Sequence, residues 1–336
     1  MYFQNIREAM DYRSVFLDSS MGSYFYNTFT KVFDPKENVP DGYTPTYIEN
    51  LWLSIFEGRN EALTFGVILT LHHIITFYLR YTLLHFAGKI PFLKKYKIQQ
   101  EKEITDKQWW KCFLTTLKSQ LLFQPPLTLM FLPIAKHFGL ITSLPFPSLE
   151  TMIPQIICFF FMEDFYHYWV HRMFHWGPLY RAMHKVHHEF SAPSGIATEY
   201  AHPIETLVFV FGVILGPLIY CKAFGNVHVI TIFVWTTAKL FQSIEAHSGY
   251  DFPFSINYFF PLWANADHHD FHHMAFVNNF SSSFIIWDRV FGTDLRYLRF
   301  REKRYKSSKL ELGLYSGFNR NIENMANTLY CKLFLQ

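Results

Sequence analysis

The chain has 336 residues, of which half are apolar, 20% are aromatic and only 17% are charged. Soluble domains carry about 25% charged residues, so this composition excludes a disordered or collagen-like chain and disfavours a simple soluble enzyme. The net charge of +3 is too small to indicate a nucleic-acid partner. The four cysteines are far apart and form no CxxC pair, which indicates neither a disulfide framework nor a zinc ribbon.

Five apolar blocks follow one another along the chain and predict membrane-embedded helices. The first is long enough to cross a bilayer, which takes about 20 residues. The second contains three prolines, which predicts a kinked or re-entrant helix. The third is short and runs into two acids, and the last two are separated by five residues, as in a helical hairpin. In chain order the blocks are 62–87, 113–135, 152–161, 204–221 and 227–240.

The blocks lie within a single predicted membrane-embedded domain. We expect a polar, amphipathic N-terminal segment over 1–60, the membrane domain over 61–300, and a basic and then variable tail over 301–336. The basic tract at 296–309 has two interpretations. It rests against anionic lipid headgroups, or it is an ordinary solvated run of charge.

The distribution of lysines orients the predicted helices. Segment 87–111 contains seven lysines against three acids, whereas 136–150 contains one lysine. Basic loops face the cytosol, so the first segment is predicted to be cytosolic and the second lumenal. Counting the blocks onward then places 167–190 and the chain after His247 in the cytosol. Asn279 begins the only N-glycosylation sequon, which we expect to stay unmodified in this topology.

Histidine is unusually abundant, with 17 residues, of which 13 lie between His167 and His273. They form three clusters, HRMFH, HKVHH and HHDFHH, whose spacing places two or three imidazoles on one helical face. Imidazole nitrogen suits iron, zinc and copper, and imidazoles packed without a metal leave buried nitrogens unsatisfied. Eight convergent imidazoles exceed the needs of one ion with an open position, which predicts two metals. The eight are His171, His175, His184, His187, His188, His269, His272 and His273.

Several neighbours of these histidines have two interpretations. His167 precedes the first cluster by one helical turn, and His268 begins the third; each is a candidate further ligand or a residue that orients ligands. Glu163 and Asp164 are candidates to accept hydrogen bonds from ligand imidazoles. They are equally well explained as ordinary charges near a helix end.

Such a centre suits redox chemistry better than hydrolysis. Iron with open coordination positions, activating O2 against an inert C–H bond, suits an apolar pocket that excludes water. Hydrolytic zinc remains a competitor on the ligands alone. The predicted fold class is an all-α integral membrane protein, in which kinked transmembrane helices carry a cytosolic helical cap that holds a histidine-ligated di-metal site.

The three clusters, in this order and separation, resemble the histidine boxes of the fatty acid hydroxylase superfamily of membrane di-iron oxygenases. The surrounding segments are more specific, because they resemble the C-4 methylsterol monooxygenases of sterol synthesis. EYAHPIE and HSGYD favour this branch over the desaturases and fatty acid hydroxylases. The resemblance covers about 50–295 and rests on segments 94–99, 108–113, 184–205, 244–253 and 267–294.

This resemblance implies that the eight cluster histidines bind two non-haem iron ions. It marks His202 and His247 as positions where relatives add ligands, whereas Ser243 stands where some relatives carry a histidine. It also implies stepwise oxidation of the 4α-methyl group of a 4,4-dimethylsterol to alcohol, aldehyde and carboxylate, with O2 and two external electrons per cycle. Cytochrome b5 and its NAD(P)H reductase are the implied electron donors. Other C-4 demethylation enzymes are candidate partners, and the endoplasmic reticulum membrane is the implied location of this multi-pass protein.

Three residues next to the clusters are candidate substrate contacts, namely Glu199, Tyr200 and Tyr250. They would hold the sterol hydroxyl or orient ligands, or they simply satisfy backbone groups. Two alternative functions remain open at this point. A sterol desaturase or lipid hydroxylase of the same superfamily would use the same metal site, and a transmembrane haem electron carrier would use only two axial histidines.

Overall fold

A computed structural model describes residues 20–312 of the chain, with side chains from Gly22 to Arg304. Residues 1–19 of the predicted N-terminal segment and 313–336 of the predicted tail lie outside the described residues. Within the described range the chain forms helices and four isolated β-bridges but no β-strand, which confirms the prediction of a mostly helical protein.

The described chain contains thirteen α-helices, which range from three to 29 residues in length. The α-helices are α1 (Ser20–Thr30), α2 (Tyr47–Phe56), α3 (Glu61–Lys89), α4 (Pro91–Lys94), α5 (Asp106–Leu122), α6 (Gln124–His137), α7 (Leu149–Phe174), α8 (Gly177–Leu179), α9 (Pro203–Phe224), α10 (Val229–Ala246), α11 (Ala266–Ala275), α12 (Ile286–Val290) and α13 (Leu295–Leu312). A π-helical turn lies at Tyr180–His184, and 3-10 turns lie at Pro35–Asn38, His187–Glu189, Gly195–Glu199 and Ile256–Tyr258.

Two of these helices are long and apolar enough to cross a membrane: α3, with 29 residues, and α9, with 22. They match the first and fourth predicted blocks. A stripe of exposed apolar side chains follows one face of α3 at intervals of three or four residues, as expected for a surface that meets lipid. The stripe consists of Leu63, Val67, Leu71, Ile75, Leu79, Leu83 and Phe86.

The remaining blocks also form helices. The second block is divided at Phe123 between α5 and α6, and Pro125 and Pro126 fall in the first turn of α6, where proline is tolerated. The third block continues past its predicted end as α7. The last two form α9 and α10, and the turn between them has positive φ at Gly225 and Asn226.

The described residues fall into two compact units. The first contains residues up to Ile74, Gln120–Gln155 and Pro217–Val234, and the second contains Ile75–Ser119, Ile156–Gly216 and the chain from Trp235 onward. Each of the five changes from one unit to the other falls inside one of the five apolar blocks. All three histidine clusters belong to the second unit.

In the first unit, α2 begins with a capping box. The Thr46 hydroxyl accepts from the backbone N–H of Glu49, and the Glu49 carboxylate accepts from the backbone N–H of Thr46. The same carboxylate accepts from the backbone N–H of Phe146 at 2.9 Å and from the Tyr43 hydroxyl at 2.9 Å. This buried charge is therefore fully hydrogen-bonded, as a buried carboxylate requires.

The second unit has an apolar core that joins α3, α5, α10 and the segment after the HKVHH cluster. Phe77, Cys112, Ile196, Ile244 and Phe252 in it have no exposed surface. Burial of such side chains is the main source of stability here, at about 1.5–3 kcal/mol for each large one. This core fixes the elements that carry the histidines.

Two polar contacts hold further segments against this core. The backbone N–H of Ile98 donates to the carbonyl of Gly249, and that of Asp251 donates to the carbonyl of Tyr96, both at 2.9 Å. The KKYKIQ segment is therefore paired with the chain that follows His247.

The basic helix α13 has a structural role that neither interpretation of its sequence included. The Arg304 guanidinium lies 2.8 Å from both carboxylate oxygens of Asp267, and the Tyr297 hydroxyl donates to the same carboxylate at 2.9 Å. Arg301 approaches it at 3.7 Å. Because Asp267 opens α11, part of the basic tract stabilises the helix that carries the third histidine cluster.

Candidate metal centre

Nine imidazoles converge within the second unit and form two groups of ring nitrogens. Within each group, the nitrogens offered by the histidines all lie within 4.8 Å of one another. Eight of the nine side chains are buried, and that of His175 is half-buried. The five-histidine group consists of His171, His175, His184, His188 and His272, and the four-histidine group consists of His187, His247, His269 and His273.

The structure brings together all eight of the predicted ligand histidines and adds His247 to the four-histidine group. It also separates residues that are adjacent in sequence. His187 and His188 belong to different groups, as do His272 and His273. Consecutive side chains on an α-helix point about 100° apart, so the His272–His273 pair of α11 can supply one ring to each group. The His187–His188 pair does the same from a 3-10 turn.

The distances between ring nitrogens fit metal coordination. The Nε2 atoms of His184 and His175 are 2.9 Å apart, those of His188 and His184 are 3.0 Å apart, and those of His269 and His247 are 2.9 Å apart. Two nitrogens bound at right angles to one ion, at about 2.1 Å each, would lie about 3.0 Å apart. The Nε2 atom of His273 is buried without a hydrogen-bond partner.

The contacts of the other ring nitrogen, Nδ1, explain why Nε2 points inward. In six of the nine rings, Nδ1 lies next to an oxygen. In five of these the oxygen is a backbone carbonyl, which can only accept, so Nδ1 carries the hydrogen and Nε2 keeps a lone pair for a metal. In the sixth, His184, it is a carboxyl oxygen of Glu205. The six contacts are His171 to Phe280 O at 2.9 Å, His184 to Glu205 Oε1 at 2.7 Å, His187 to Tyr200 O at 3.2 Å, His247 to Ser243 O at 2.8 Å, His272 to Asn278 O at 2.6 Å and His273 to Phe190 O at 3.1 Å.

The protonation state also suits metal binding. Burial lowers the pKa of His175 and of His187 to about 4, and that of His247 to about 3. Burial and neighbouring imidazoles lower the pKa of His184 and His188 further. At neutral pH these rings are therefore uncharged, which is the form of imidazole that binds a metal.

The local structure of the clusters differs from the regular helices that the spacing predicts. Only HHDFHH lies wholly in an α-helix, α11. HRMFH begins at the end of α7, and His175 follows that helix. HKVHH is not α-helical: His184 ends the π-helical turn and His187 begins a 3-10 turn.

His167 and the two acids before it lie beside the five-histidine group without belonging to it. The His167 ring is 5.3 Å from that of His171, and its Nδ1 lies 3.4 Å from Glu163. Glu163 pairs with the buried Lys239 at 2.7 Å. Asp164 accepts from three backbone N–H groups of the turn at 282–284, the shortest at 2.6 Å. It therefore holds the turn that follows Phe280, whose carbonyl orients His171.

The structure places His202 and His268 outside both groups. Nδ1 of His202 accepts from the backbone N–H of Ile204 at the start of α9. His268 is buried, with Nε2 at 3.5 Å from Asp288. Ser243 contributes its backbone, since its carbonyl accepts from His247.

The three candidate substrate residues are likewise not brought into the groups. The Tyr200 hydroxyl donates to Glu189 at 2.6 Å, while its carbonyl orients His187. The Tyr250 hydroxyl donates to the carbonyl of Gly88 at 3.3 Å. Glu199 ends a 3-10 turn and is half-buried. Their contacts match the roles of orienting a ligand and satisfying a backbone group.

Sequence reasoning missed two residues that support the histidines. Glu205 holds His184, and only its place in the EYAHPIE motif pointed to it. Nε2 of Gln99 donates to the carbonyl of Ser191 at 2.8 Å and to Asp270 at 2.7 Å. Gln99 thus ties the chain after HKVHH to α11. Its place at the end of the KKYKIQ motif was the sequence feature that pointed to it.

Apolar helices of membrane length and a candidate metal centre made only of histidines define a class of membrane-bound metalloprotein. Residues 156–293 match the family model described as fatty acid hydroxylase. The chain is 43% identical over 259 residues to the C-4 methylsterol oxidase of Schizosaccharomyces pombe, which covers 77% of this chain and 86% of that relative. No solved structure matches the chain.

Other relatives carry similar names. A methylsterol monooxygenase of Aspergillus fumigatus is 43% identical over 264 residues, covering 78% of this chain and 88% of its own. Methylsterol monooxygenase 1 of Gallus gallus is 34% identical over 275 residues, covering 80% of this chain and 89% of its own. The chain belongs to the methylsterol monooxygenases of the fatty acid hydroxylase family, which confirms the resemblance found in the sequence.

The contact between His184 and Glu205 yields a prediction about metal affinity. Replacing Glu205 by Ala removes the acceptor for Nδ1, so we expect metal affinity to fall by roughly 10–100-fold. Glu205→Gln keeps a hydrogen-bond acceptor without the charge, so its metal affinity should fall less than that of Glu205→Ala. The measurement is the metal retained during titration with a chelator. Glu150→Gln, at an exposed acid on α7, is the matched control, and unchanged retention in Glu205→Ala would contradict the role.

Proposed function

We propose that this protein oxidises the 4α-methyl group of a 4,4-dimethylsterol stepwise to alcohol, aldehyde and carboxylate. The observation that carries the proposal is the pair of histidine groups in a chain that aligns with methylsterol monooxygenases over most of its length. None of the relatives named above is called a desaturase, and none is called a haem carrier. The names of these relatives favour the methylsterol reaction over the desaturase and the haem carrier, and their shared identity of 34–43% favours it over other lipid hydroxylases of the family.

The proposed cofactor is a pair of non-haem iron ions, one in each histidine group. Zinc carries no redox chemistry, whereas oxidation of a methyl group requires it. Iron, when bound, would supply the activation of O2 and the one-electron steps. Five imidazoles on one ion and four on the other leave coordination positions open, since octahedral iron takes six ligands.

The chain's own residues would contribute orientation and exclusion of water. The carbonyls of Phe280, Tyr200 and Ser243 fix three rings, and the Glu205 carboxylate fixes a fourth. His272 and His273 have no exposed surface, so this end of the centre is closed to solvent. A dry, preorganised centre protects reactive species from side reactions.

The reaction also needs an electron donor. Reduction of O2 to water takes four electrons, and each oxidation of the sterol supplies two, so each cycle takes two from outside. We propose cytochrome b5 and its NAD(P)H reductase as the donors, with other C-4 demethylation enzymes as further partners. The lysine-rich segment 87–111 and the histidine groups would face them from the same side.

The proposed location is the endoplasmic reticulum membrane, with 61–300 as the membrane domain and the histidine groups cytosolic. The two helices of membrane length, α3 and α9, and the excess of lysine in segment 87–111 support this topology.

Metal analysis tests the cofactor. We expect two iron ions per chain in active protein purified without oxygen. His272→Ala and His187→Ala should each reduce the metal content, because each removes a ring from a different group. His202→Ala, outside both groups, is the control and should keep two ions. A single metal in fully active wild-type protein would contradict the two-iron centre.

Sterol profiling tests the substrate. Cells depleted of this protein should accumulate 4,4-dimethylsterols, measured by gas chromatography and mass spectrometry. The wild-type chain should restore the normal profile, and His272→Ala should not, although it is produced at the same level. A normal 4,4-dimethylsterol pool together with missing C-5 unsaturation would instead identify a desaturase.

Glycosylation mapping tests the topology, with engineered acceptor sites. Asn279 is fully buried and donates to the carbonyl of His268 at 2.9 Å, so its sequon would remain unmodified on either side of the membrane. We therefore expect a glycan on an acceptor inserted after Gly139 and none on one inserted after Gln100. The reverse pattern would invert the topology.

A further inference from the structure

A cavity of about 520 Å³ lies in the second unit, apart from the histidine groups. None of the nine converging histidines lines it, so it is not the chamber in which the methyl group reacts. In sequence it comes next to the centre at two lining residues, Ser248, which follows His247, and Asp270, which follows His269 on α11. Its function is therefore a separate question.

One wall of the cavity is the end of a candidate membrane helix. Tyr81, Leu84 and Gly88 come from the last turns of α3, which ends at Lys89. Trp109, from the first turn of α5, continues this wall, and its indole N–H donates to the Tyr81 hydroxyl at 2.7 Å. Tryptophan and lysine are typical of the level at which a membrane helix meets the headgroups. If α3 crosses the membrane, the cavity opens at that level.

The charged residues of the lining are four lysines and three carboxylates, which leaves one net positive charge. Lys97 is paired with Glu103 at 3.4 Å. Within the described part of the chain, Lys89, Lys94 and Lys102 form no ion pair, and Nζ of Lys102 lies 3.2 Å from the Ser191 hydroxyl. Three ammonium groups are thus left around one cavity, and they would favour an anionic ligand.

The two lining carboxylates other than Glu103 constrain the ligand. Asp106 begins α5, where a negative charge stabilises the helix N-terminus. Asp270 is 1% exposed, and its Oδ1 accepts from Gln99 at 2.7 Å while its Oδ2 is buried without a partner. An unsatisfied buried oxygen requires a donor. The ligand should therefore carry a hydrogen-bond donor as well as a negative charge.

We propose that this cavity binds the headgroup of an anionic phospholipid from the surrounding membrane. The phosphate would lie among Lys89, Lys94 and Lys102, and a headgroup hydroxyl would donate to Oδ2 of Asp270. The acyl chains would leave along Leu84 and Trp109. Basic pockets beside membrane helices bind inositol and cardiolipin headgroups by the same chemistry. Phosphatidylinositol has every required feature, and the proposal rests on α3 crossing the membrane, not on the sterol reaction.

The test measures lipid binding to the full-length, metal-loaded protein in neutral detergent, by native mass spectrometry. Phosphatidylinositol is compared with phosphatidylcholine, which has no net charge, and with phosphatidic acid, which lacks the inositol hydroxyls. We expect phosphatidylinositol to bind most tightly. Equal binding of all three would overturn the proposal.

A matched pair of triple variants isolates the three lysines. K89Q/K94Q/K102Q should weaken phosphatidylinositol binding by about 100-fold, since each lysine near an anionic headgroup contributes about fivefold. K95Q/K107Q/K185Q removes the same charge from exposed lysines outside the cavity and should change binding less than twofold. If both variants lost phosphatidylinositol binding equally, the effect would be one of net charge, and the proposed site would be wrong. If the first variant does not fold, the three single substitutions are measured instead, and each should weaken phosphatidylinositol binding about fivefold.

Soluble competitors distinguish the source of the phosphate. Glycerophosphoinositol should displace the lipid only at much higher concentration, and inorganic phosphate should not displace it. Displacement by inorganic phosphate at the lipid's own affinity would overturn a membrane ligand, and displacement by 4,4-dimethylsterol would make the cavity a sterol site. Sterol oxidation is assayed separately, so its absence would count against the proposed function and leave the lipid result unaffected.

Discussion

Nine imidazoles that present lone pairs to a common interior repel one another unless a cation lies between them, and each ring also has a second nitrogen that must be satisfied. The chain meets the second requirement mainly with backbone carbonyls, five of which accept from Nδ1. A carbonyl cannot donate, so it fixes the tautomer as well as the orientation. Much of the loop structure in the second unit follows from the need to bring these carbonyls to the rings.

The turn after α11 shows how this is achieved. Phe276, Asn278 and Asn279 have positive φ, which asparagine tolerates and phenylalanine disfavours, at a cost of about 1–2 kcal/mol. The conformation directs the carbonyls of Asn278 and Phe280 back to His272 and His171. Two buried carboxylates hold the turn by accepting its backbone N–H groups: Asp288 from Phe280 and Ser281, and Asp164 from 282–284. These acids act on the His171 and His272 rings through the backbone.

Sequence reasoning succeeded where the information was local. The spacing within the three clusters predicted eight convergent histidines, which the structure brings together, and apolar blocks predicted helices α3 and α9, because both are patterns within a few turns. The spacing did not reveal that His187 and His188, and likewise His272 and His273, belong to different groups, which depends on how three segments meet. Gln99 was missed for the same reason, since its partner Asp270 lies 171 positions away. The π-helical and 3-10 turns around HKVHH are set by tertiary contacts such as that between His184 and Glu205.

The contribution of α11 to both histidine groups has a consequence for biosynthesis. His272 completes the five-histidine group, while His269 and His273 supply half of the other, so neither group exists before α11 has been made. His272 follows His188 by 84 residues, which a ribosome adding about 5–20 residues per second translates in about 4–17 s. Five of the nine histidines are already synthesised when that interval begins, His247 is added within it, and neither group is complete until it ends. Both groups are therefore completed late, when the last cluster folds against the earlier ones.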